Sequence, residues 1–322
     1  DGVGGRHLQR VVGWWCSSDD LVAKDSSIAL VEAESPSQIR DEFEFSGLSV
    51  VCTNPQTDSY ADYRCDFELW EVDSGFMMYI GCNVTYSKFF DDGTLRTFLT
   101  YGIDRQTLVD DNYGGLALPT TLPISPMSPY YSKSLATNYD YDEMRFIDAA
   151  SKFRVPTNDK GVPRTLQLLV NSDDSARLRC ARNIAATLTE LGLACETVES
   201  PTSVYEARLQ AANYDIYLGI TKLPTTADLS EFYRPWGEMS WGGLANETIY
   251  NMVNQSLADR GNYYNLHKLV ADDGRIIPVM AGYYAIYAKR GVLSDLNPAR
   301  DNVFYYTLGK TMESSKVATQ FS

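Results

Sequence analysis

The sequence predicts an α/β protein in which helices cover a parallel sheet. Three apolar, strand-like segments at residues 165–170, 193–198 and 214–219 alternate with two helix-like segments. Short links between such segments favour parallel strands, because each helix returns the chain to the same edge of the sheet. The length of 322 residues allows a second lobe, and the prolines of residues 119–129 suit an extended crossover between two lobes.

Composition and charge limit the partners that the protein can bind. The net charge is −14, with 42 acidic residues against 28 basic ones. Such a surface repels DNA, RNA and anionic lipid, so no nucleic-acid partner is expected. Hydrophobic residues make up 44% of the chain, which is typical of a globular protein and excludes disorder. The sequence has no run of about 18 apolar residues that would predict a membrane-spanning helix.

The first predicted helix follows a serine–proline pair near the amino terminus. Ser35 can cap this helix, and Pro36 suits its first position. Ile39, Phe43 and Phe45 would lie together on one face of the helix. Strands are predicted on either side of it, at residues 28–33, 48–52 and 67–73.

Residues 76–115 predict a buried strand, a helix, a second helix and a glycine exit. The run 76–80 is short and apolar, as in a strand with little water on either face. Asp91 or Asp92 can accept a hydrogen bond at the start of the first helix, and Asp104 can do so for the second. Gly114 would end the second helix, since glycine tolerates left-handed backbone angles. The apolar face of the first helix comprises Leu95, Phe98, Leu99 and Ile103.

The second half contains further predicted helices and the return of the chain. Acidic residues up to Asp142 begin a short helix, and Asp174 is among the residues that cap the helix between the first two parallel strands. Gly192 would end that helix. Two helices are then predicted around Val253 and Leu266. The closing strands are predicted at residues 275–279, 283–288 and 303–308.

The candidate ligand-binding residues follow the third parallel strand. In parallel, helix-covered sheets, ligands lie beyond the carboxyl ends of the strands. Aromatic residues on a glycine-bearing loop can also line a ligand cleft, although such tryptophans can instead anchor the loop to its own lobe. Similarly, Lys222 could contact a ligand or point into solvent. The predicted site residues are Gly219, Ile220, Thr221, Lys222, Leu223, Asp228, Trp236 and Trp241.

No catalytic or metal-binding motif is found, so neither an enzyme nor a cofactor is predicted. The sequence lacks a nucleophile elbow, a phosphate-binding glycine loop and a zinc-protease motif. The six cysteines include no C-x-x-C pair, and His7 and His267 are far apart in sequence, which argues against zinc. Disulfides remain open for two pairs, with buried free thiols as the alternative. The two pairs are Cys52–Cys65 and Cys180–Cys195.

The order of short motifs in residues 81–114 resembles a known family. These residues resemble the extracytoplasmic solute-binding proteins of family 5, which serve ABC importers for oligopeptides, dipeptides and nickel. In that family a Gly-x-Asn strand end leads into an Asp-x-x-Arg helix and an Ile-Asp-Arg turn. The matching residues are Gly81, Asn83, Asp92, Arg96, Ile103, Asp104, Arg105, Tyr113 and Gly114.

This resemblance implies a two-lobed, type II periplasmic-binding-protein-like fold that lacks the family's opening segment. It implies a first lobe from residues 1–122 and 277–322, and a second from residues 123–276. The two lobes would close over a peptide-like or other small solute and deliver it to the membrane subunits of an ABC permease. The protein would be a monomer in the periplasm or on the outer face of the membrane, from a lipid-anchored precursor.

The resemblance departs from the family's pattern after the third predicted parallel strand and leaves one alternative function. Many family members have a tryptophan where this chain has Ile220. They also have an acidic residue where this chain has Lys222 and Leu223. A lysine there would repel the amino terminus of a free peptide and would suit an anionic or carbonyl-rich group. The alternative function is a ligand-sensing module fused to a DNA-binding or signalling domain.

Overall fold

The protein divides into two compact units. The computed structural model describes residues 6–9, 27–32, 35–45, 47–55, 63–292, 298 and 300. Unit 1 comprises Asp1–Ser74 and Tyr283–Ser322, and unit 2 comprises Gly75–Gly282. The assignment of two lobes with boundaries near residues 122 and 277 stays a prediction. The predicted strand at residues 303–308 and Cys16 lie outside the described residues.

The described chain contains strands and helices in the following order. The strands are β1 (Arg6–Gln9), β2 (Ser27–Leu30), β3 (Val50–Thr53), β4 (Phe67–Cys82), β5 (Leu118–Pro119), β6 (Leu166–Asn171), β7 (Cys195–Ser200), β8 (Ile216–Lys222) and β9 (Ile276–Lys289). The helices are α1 (Pro36–Phe45), α2 (Thr94–Phe98), α3 (Arg105–Tyr113), α4 (Lys133–Ala136), α5 (Glu143–Lys152), α6 (Ser175–Glu190), α7 (Thr202–Gln210), α8 (Ser230–Tyr233), α9 (Glu247–Ala258) and α10 (Tyr263–Asp273). Short 3₁₀ turns follow α2 and precede α9.

Unit 1 combines a hairpin, a helix and one strand pair. β1 pairs with β2 in antiparallel register, and β3 pairs with the end of β9, with Val50 opposite Ala288. The ring of Tyr63 packs 4.8 Å from that of Phe43 and 4.7 Å from that of Tyr287. The prediction that Phe45 shares the buried face is wrong, because it is the last residue of α1 and is 82% exposed.

The parallel sheet predicted for the second half is confirmed in unit 2. Its strand order is β4, β8, β6, β7, and β6 is parallel to both β7 and β8. β4 runs antiparallel to β8, from Phe76 opposite Lys222 to Cys82 opposite Ile216. Each parallel strand begins and ends one to three residues later than the sequence pattern predicts, so Ile220, Thr221 and Lys222 belong to β8 and not to the loop that follows it.

Two pairs of predicted strands are single long strands in the structure. β4 continues through residues 73–75, where polar residues interrupt the apolar pattern. Gly75 has φ of 77°, a left-handed angle that glycine tolerates without a Cβ clash. β9 likewise unites the predicted strands 275–279 and 283–288. The sequence pattern divides them because hydrophobic periodicity is local, whereas a strand continues wherever its backbone finds a neighbouring strand.

Two hydrophobic cores lie on the two faces of the sheet in unit 2. Successive residues of β4 alternate between them, because neighbouring side chains of a strand point to opposite faces. The first core includes Met78, Ile80, Leu168, Phe146, Ile184 and Leu188. The second core includes Met77, Tyr79, Tyr205, Tyr217, Phe232 and Val253. The helix α6 therefore covers the first face, and α7, α8 and α9 cover the second.

The described cysteines are free thiols. Cys52, Cys65, Cys82, Cys180 and Cys195 form no disulfide with one another. Both candidate pairs are free thiols, but of their four cysteines only Cys180 is buried, so the alternative of a buried free thiol holds for that residue alone. Cys180 is fully buried in the first core, where it behaves as a small apolar residue. No helix among the described residues is both long enough and apolar enough to cross a bilayer.

Candidate ligand-binding site

The candidate site begins at the carboxyl end of β8, where the parallel strands of unit 2 end. Gly219 lies opposite Tyr79 of β4, and Lys222 lies opposite Phe76. A Cβ atom added to Gly219 would lie 2.6 Å from Cζ of Tyr79 and 2.9 Å from Cε2 of Tyr217. Only glycine therefore allows β8 to pack this closely against the two tyrosine rings.

The last residues of β8 present alternating buried and exposed side chains. Ile220 is 36% exposed and Lys222 is exposed, whereas Thr221 is half-buried. The next residue, Leu223, is buried in the second core, and its amide donates a 2.8 Å hydrogen bond to the carbonyl of Gly75. Ile220 and Lys222 therefore share one face of the strand end and are accessible to a solute, while Leu223 fixes the exit of the chain.

Asp228 and Trp236 lie on the segment that follows β8. The carboxylate of Asp228 accepts hydrogen bonds from the amide of Ser230 at 2.8 Å and from its hydroxyl at 2.6 Å. It therefore stabilises the turn into α8. Trp236 is 96% exposed and has φ of 62°, so its side chain does not anchor the loop. Contact of either residue with a ligand stays a prediction.

Trp241 lies near the other end of β8. The carbonyl of Gly242 accepts hydrogen bonds from the amides of Val84 at 2.9 Å and Thr85 at 3.2 Å, just after β4 ends. The carboxyl end of β8 is about 20 Å away from this point, at ~3.3 Å per residue. Trp241 itself packs against the second core. The structure thus brings Gly219, Ile220, Thr221, Lys222 and Leu223 together, and does not place Trp241 with them.

Arg177 is a residue of this edge that sequence reasoning missed. It lies in the first turn of α6, after β6 ends, and is only 6% exposed. Its Cζ lies 5.3 Å from the ring centroid of Tyr205, and the Tyr205 hydroxyl donates a 3.0 Å hydrogen bond to the carbonyl of Leu218. Burial raises the pKa of Tyr205 to about 12, so this phenol remains a donor at neutral pH. The signal in the sequence that could have identified it is its position: an arginine three residues after Asp174, which caps a helix just after a strand.

The motif residue Asn83 has a structural role. Its side-chain amide donates to the carbonyls of Ala212 at 2.9 Å and Tyr214 at 2.8 Å, and its side-chain oxygen accepts from the amide of Tyr86 at 3.0 Å. Asn83 is fully buried, so these bonds satisfy a polar group that has left water. It fixes the chain after β4 to the chain before β8.

The motif residue Arg105 is also used by the scaffold. Its Nε donates to the carbonyl of Pro278 at 2.8 Å, and its Nη2 donates to the Thr100 hydroxyl at 2.8 Å. Burial lowers the pKa of Arg105 to about 10, which still leaves it protonated at neutral pH. Asp104 caps α3 by accepting from the Thr107 amide at 3.1 Å, as predicted, and Asp92 accepts from the Thr94 amide at 2.9 Å before α2.

A second concave region in unit 2 has a volume of about 520 Å³. Two pairs of its lining residues interact: the Tyr139 hydroxyl donates to Asp272 at 2.5 Å, and Cζ of Arg145 lies 3.7 Å from the centroid of the Tyr101 ring. Asp272 also forms an ion pair with Lys268. Within the described part of the chain, no group of three or more His, Cys, Asp or Glu residues could hold a metal ion.

Both the sequence and the fold are similar to those of known proteins. Residues 30–243 match the family described as bacterial extracellular solute-binding proteins, family 5, middle region. The fold is similar to that of HbpA2 from Haemophilus parasuis, at 12% identity and a TM-score of 0.75, over 93% of this chain and 60% of that one. It is also similar to the ABC transporter substrate-binding protein CtaP from Listeria monocytogenes, at 14% identity and a TM-score of 0.72, over 95% and 63% of the two chains.

A third similar structure was solved with its ligand. This is the oligopeptide-binding protein AppA from Bacillus subtilis in complex with a nonapeptide, at 15% identity and a TM-score of 0.61, over 89% of this chain and 60% of that one. The chain thus spans 60–63% of the length of these solved structures. No curated protein matches the sequence. The family match covers most of the chain, and the fold agrees with it: the chain belongs to the bacterial extracellular solute-binding proteins of family 5.

Proposed function

We propose that the chain captures a peptide-like or other small solute for an ABC importer. The observation that carries this proposal is the match of residues 30–243 to a family of extracellular solute-binding proteins. The open carboxyl edge of the parallel strands supports it, because solutes bind at such edges in α/β proteins. The mechanism is reversible binding, without bond chemistry.

The proposed ligand contacts are those expected from the sequence, and the side chains of Ile220 and Lys222 are the main ones. Ile220 offers an apolar contact and Lys222 a positive charge on the same exposed face of β8. Gly219, Thr221 and Leu223 shape the strand end beneath them. Asp228, Trp236 and Trp241 belong to the proposed set as residues of the loops that follow β8.

The proposed partners and location follow from membership of the family. The protein would work outside the cytoplasm as a monomer. It would be held at the outer face of the membrane, from a lipid-anchored precursor, or be free in a periplasm. It would deliver its solute to the permease subunits of the importer. Similar proteins named for peptide binding or for ABC transport favour a peptide-like solute. The acidic surface, with a net charge of −14, suits a protein that does not bind nucleic acid.

The proposal is tested by ligand-induced stabilisation of the purified chain. Differential scanning fluorimetry would compare di- to nonapeptides, disaccharides and nickel–histidine chelates over a range of concentrations. A ligand that binds only the folded protein raises its melting temperature with concentration. We expect at least one class to do so, and expect Lys222→Glu to weaken the effect. The matched control is Lys160→Glu, an exposed lysine in a turn away from β8.

Two results would contradict the proposal. The first is a well-folded sample that shows no shift with any of the three classes. The second is a saturable shift that neither Lys222→Glu nor Ile220→Glu reduces, which would place binding away from the end of β8.

A further inference from the structure

We propose that Arg177 binds a carboxylate of the solute at the carboxyl edge of the sheet in unit 2. This inference rests on the proposed function and names the chemical class of its ligand. It places an anion-binding group beside β8 that neither the sequence motifs nor the family match assigns. The argument starts from the unusual state of the Arg177 side chain.

Arg177 is a buried cation that is ion-paired with Asp174 but makes no side-chain hydrogen bond to the described residues. Its Nε is shielded from solvent and has no hydrogen-bond partner, and its guanidinium makes no hydrogen bond to any residue that the structure describes. The nearest carboxylate oxygen, Oδ2 of Asp174, lies 3.6 Å from Nε, which is beyond hydrogen-bond distance. Removing a charge from water without such bonds is costly, so a missing acceptor is indicated.

Arg105 in the same unit shows the usual solution to this problem. It is 4% exposed, about as buried as Arg177. Its guanidinium donates to the carbonyls of Pro278, Thr100 and Ile103 at 2.8–3.3 Å and to the Thr100 hydroxyl at 2.8 Å. The scaffold therefore saturates one buried arginine and leaves the other unsaturated. This difference points to a ligand for Arg177 rather than to a purely structural role.

The position of Arg177 links it to the candidate site. Its guanidinium packs against the ring of Tyr205, and Tyr205 is hydrogen-bonded to Leu218, the residue before Gly219. Arg177 belongs to the loop and helix after β6, and Gly219 belongs to the end of β8, which is the neighbouring parallel strand. Both therefore lie at the edge where ligands of parallel sheets bind.

Two cationic features and two carboxylates lie at this place, and both carboxylates already accept hydrogen bonds from backbone amides. The positive end of α6, a helix of 16 residues, is at the same place. Asp174 already caps this helix by accepting from the Arg177 amide at 3.0 Å, and Asp173 accepts from the Thr202 amide at 2.9 Å and its hydroxyl at 2.7 Å. Arg179, also on α6, donates to the carbonyl of Asn112 at 3.4 Å. A guanidinium presents paired donors that match the two oxygens of a carboxylate.

The test compares probes with and without a free carboxylate on the full chain. The probes are a set of tripeptides with free carboxyl termini, the same tripeptides as carboxyl-terminal amides, succinate and a neutral disaccharide. Affinities are measured by isothermal titration calorimetry. We expect the free acid of at least one probe to bind at least 10-fold more tightly than its amide. We expect Arg177→Met to weaken binding of the acid by about 10- to 100-fold, as for loss of a charge-assisted hydrogen bond, and to leave the amide unchanged.

Matched variants separate binding from folding. Arg182→Met removes the same charge from the same helix, but Arg182 is paired with Glu199 at 2.7 Å and is 55% exposed in its side chain, so it should leave affinity unchanged. Arg177→Lys keeps the charge and should retain part of the affinity. Where Arg177→Met does not fold, the ratio of acid to amide affinity in Arg177→Lys decides the question, because a preference for the acid that comes from Lys222 would be the same in this variant and in the unaltered protein.

The possible failures are distinguishable. The carboxylate site would be overturned if the unaltered protein bound the acid and the amide with equal affinity. It would also be overturned if the unaltered protein and a folded Arg177→Met bound the acid with equal affinity. Either result would leave solute capture standing. Tight binding of the neutral disaccharide alone would have the same meaning. The absence of a thermal shift with every class of solute would overturn the proposed function, and this inference with it.

Discussion

Nη1 of Arg96 lies 2.8 Å from Oδ1 of Asp273 and 2.7 Å from the carbonyl oxygen of the same residue. This double contact ties α2 to the end of α10. Nε of Arg275 lies 3.2 Å from the other oxygen of Asp273. A Cβ atom on Gly274 would lie 2.2 Å from the carbonyl oxygen of Arg96, so the two segments are in close contact. An arginine that the sequence presents as a family motif is thus a part of the scaffold.

Replacing Arg96 should destabilise the protein without removing the solute site. Arg96→Met breaks a partly buried ion pair and a hydrogen bond to the backbone, and we expect it to lower the free energy of unfolding by about 2 kcal/mol. Urea denaturation at neutral pH measures this value. Arg182→Met, which breaks an ion pair at the surface, should have no resolvable effect. Equal effects of the two variants would contradict a structural role for Arg96.

Adding one methyl group at Gly219 should disturb the end of β8. A Cβ there would clash with the rings of Tyr79 and Tyr217, so Gly219→Ala should lower the free energy of unfolding by about 1–3 kcal/mol. Gly47→Ala is the control, because nothing lies within 4 Å of a Cβ added at Gly47. Urea midpoints of the two variants provide the measurement. A Gly219→Ala protein as stable as Gly47→Ala would mean that β8 does not pack against these rings.

The pH dependence of stability should include a contribution from His267. Burial lowers the pKa of His267 to about 4, from an ordinary value of 6.5. The unfolded chain therefore binds this proton first as the pH falls, so stability is full above about pH 6.5 and is lost toward pH 4. The loss should be about 3 kcal/mol, from ~1.4 kcal/mol for each pKa unit. Urea denaturation between pH 7 and pH 4.5 measures it.

A variant of His267 isolates that contribution from the carboxylates. His267→Gln cannot take up the proton, so its stability should depend less steeply on pH across the same range. An identical slope for His267→Gln and the unaltered protein would show that this histidine is accessible to water in the folded state.

The two tryptophans of the loop after α8 should differ sharply in their effect on stability. Trp236 is exposed and has a left-handed backbone angle, so Trp236→Gly should keep or raise the free energy of unfolding, by up to about 1 kcal/mol. Trp241 packs on the second core, and Trp241→Ala should lower it by about 2–3 kcal/mol. Thermal and urea unfolding measure both. A large loss with Trp236→Gly would show that this side chain is covered in the folded protein.

Local features of the fold could be predicted from the sequence with good accuracy. Asp104, Asp142 and Asp174 each accept a hydrogen bond from the amide three residues ahead, as their positions before apolar helices predict. Gly114 ends α3 with φ of 57°. These interactions involve neighbours in the chain, so the pattern of residue types contains them. The parallel direction of β6, β7 and β8 follows from the same kind of local information, the alternation of strands and helices.

The sequence by itself determined the α/β class, the caps of the helices and, through its motifs, the family. Only the tertiary structure decided that β4 and β9 are single strands, that Trp241 lies away from Lys222, and that the guanidinium of Arg177 makes no hydrogen bond to the residues that the structure describes. The physical reason is the separation along the chain of the residues that interact. Helix caps and periodicity join residues a few positions apart, whereas the partners of Asn83, Arg96 and Arg105 lie on segments that only folding brings together.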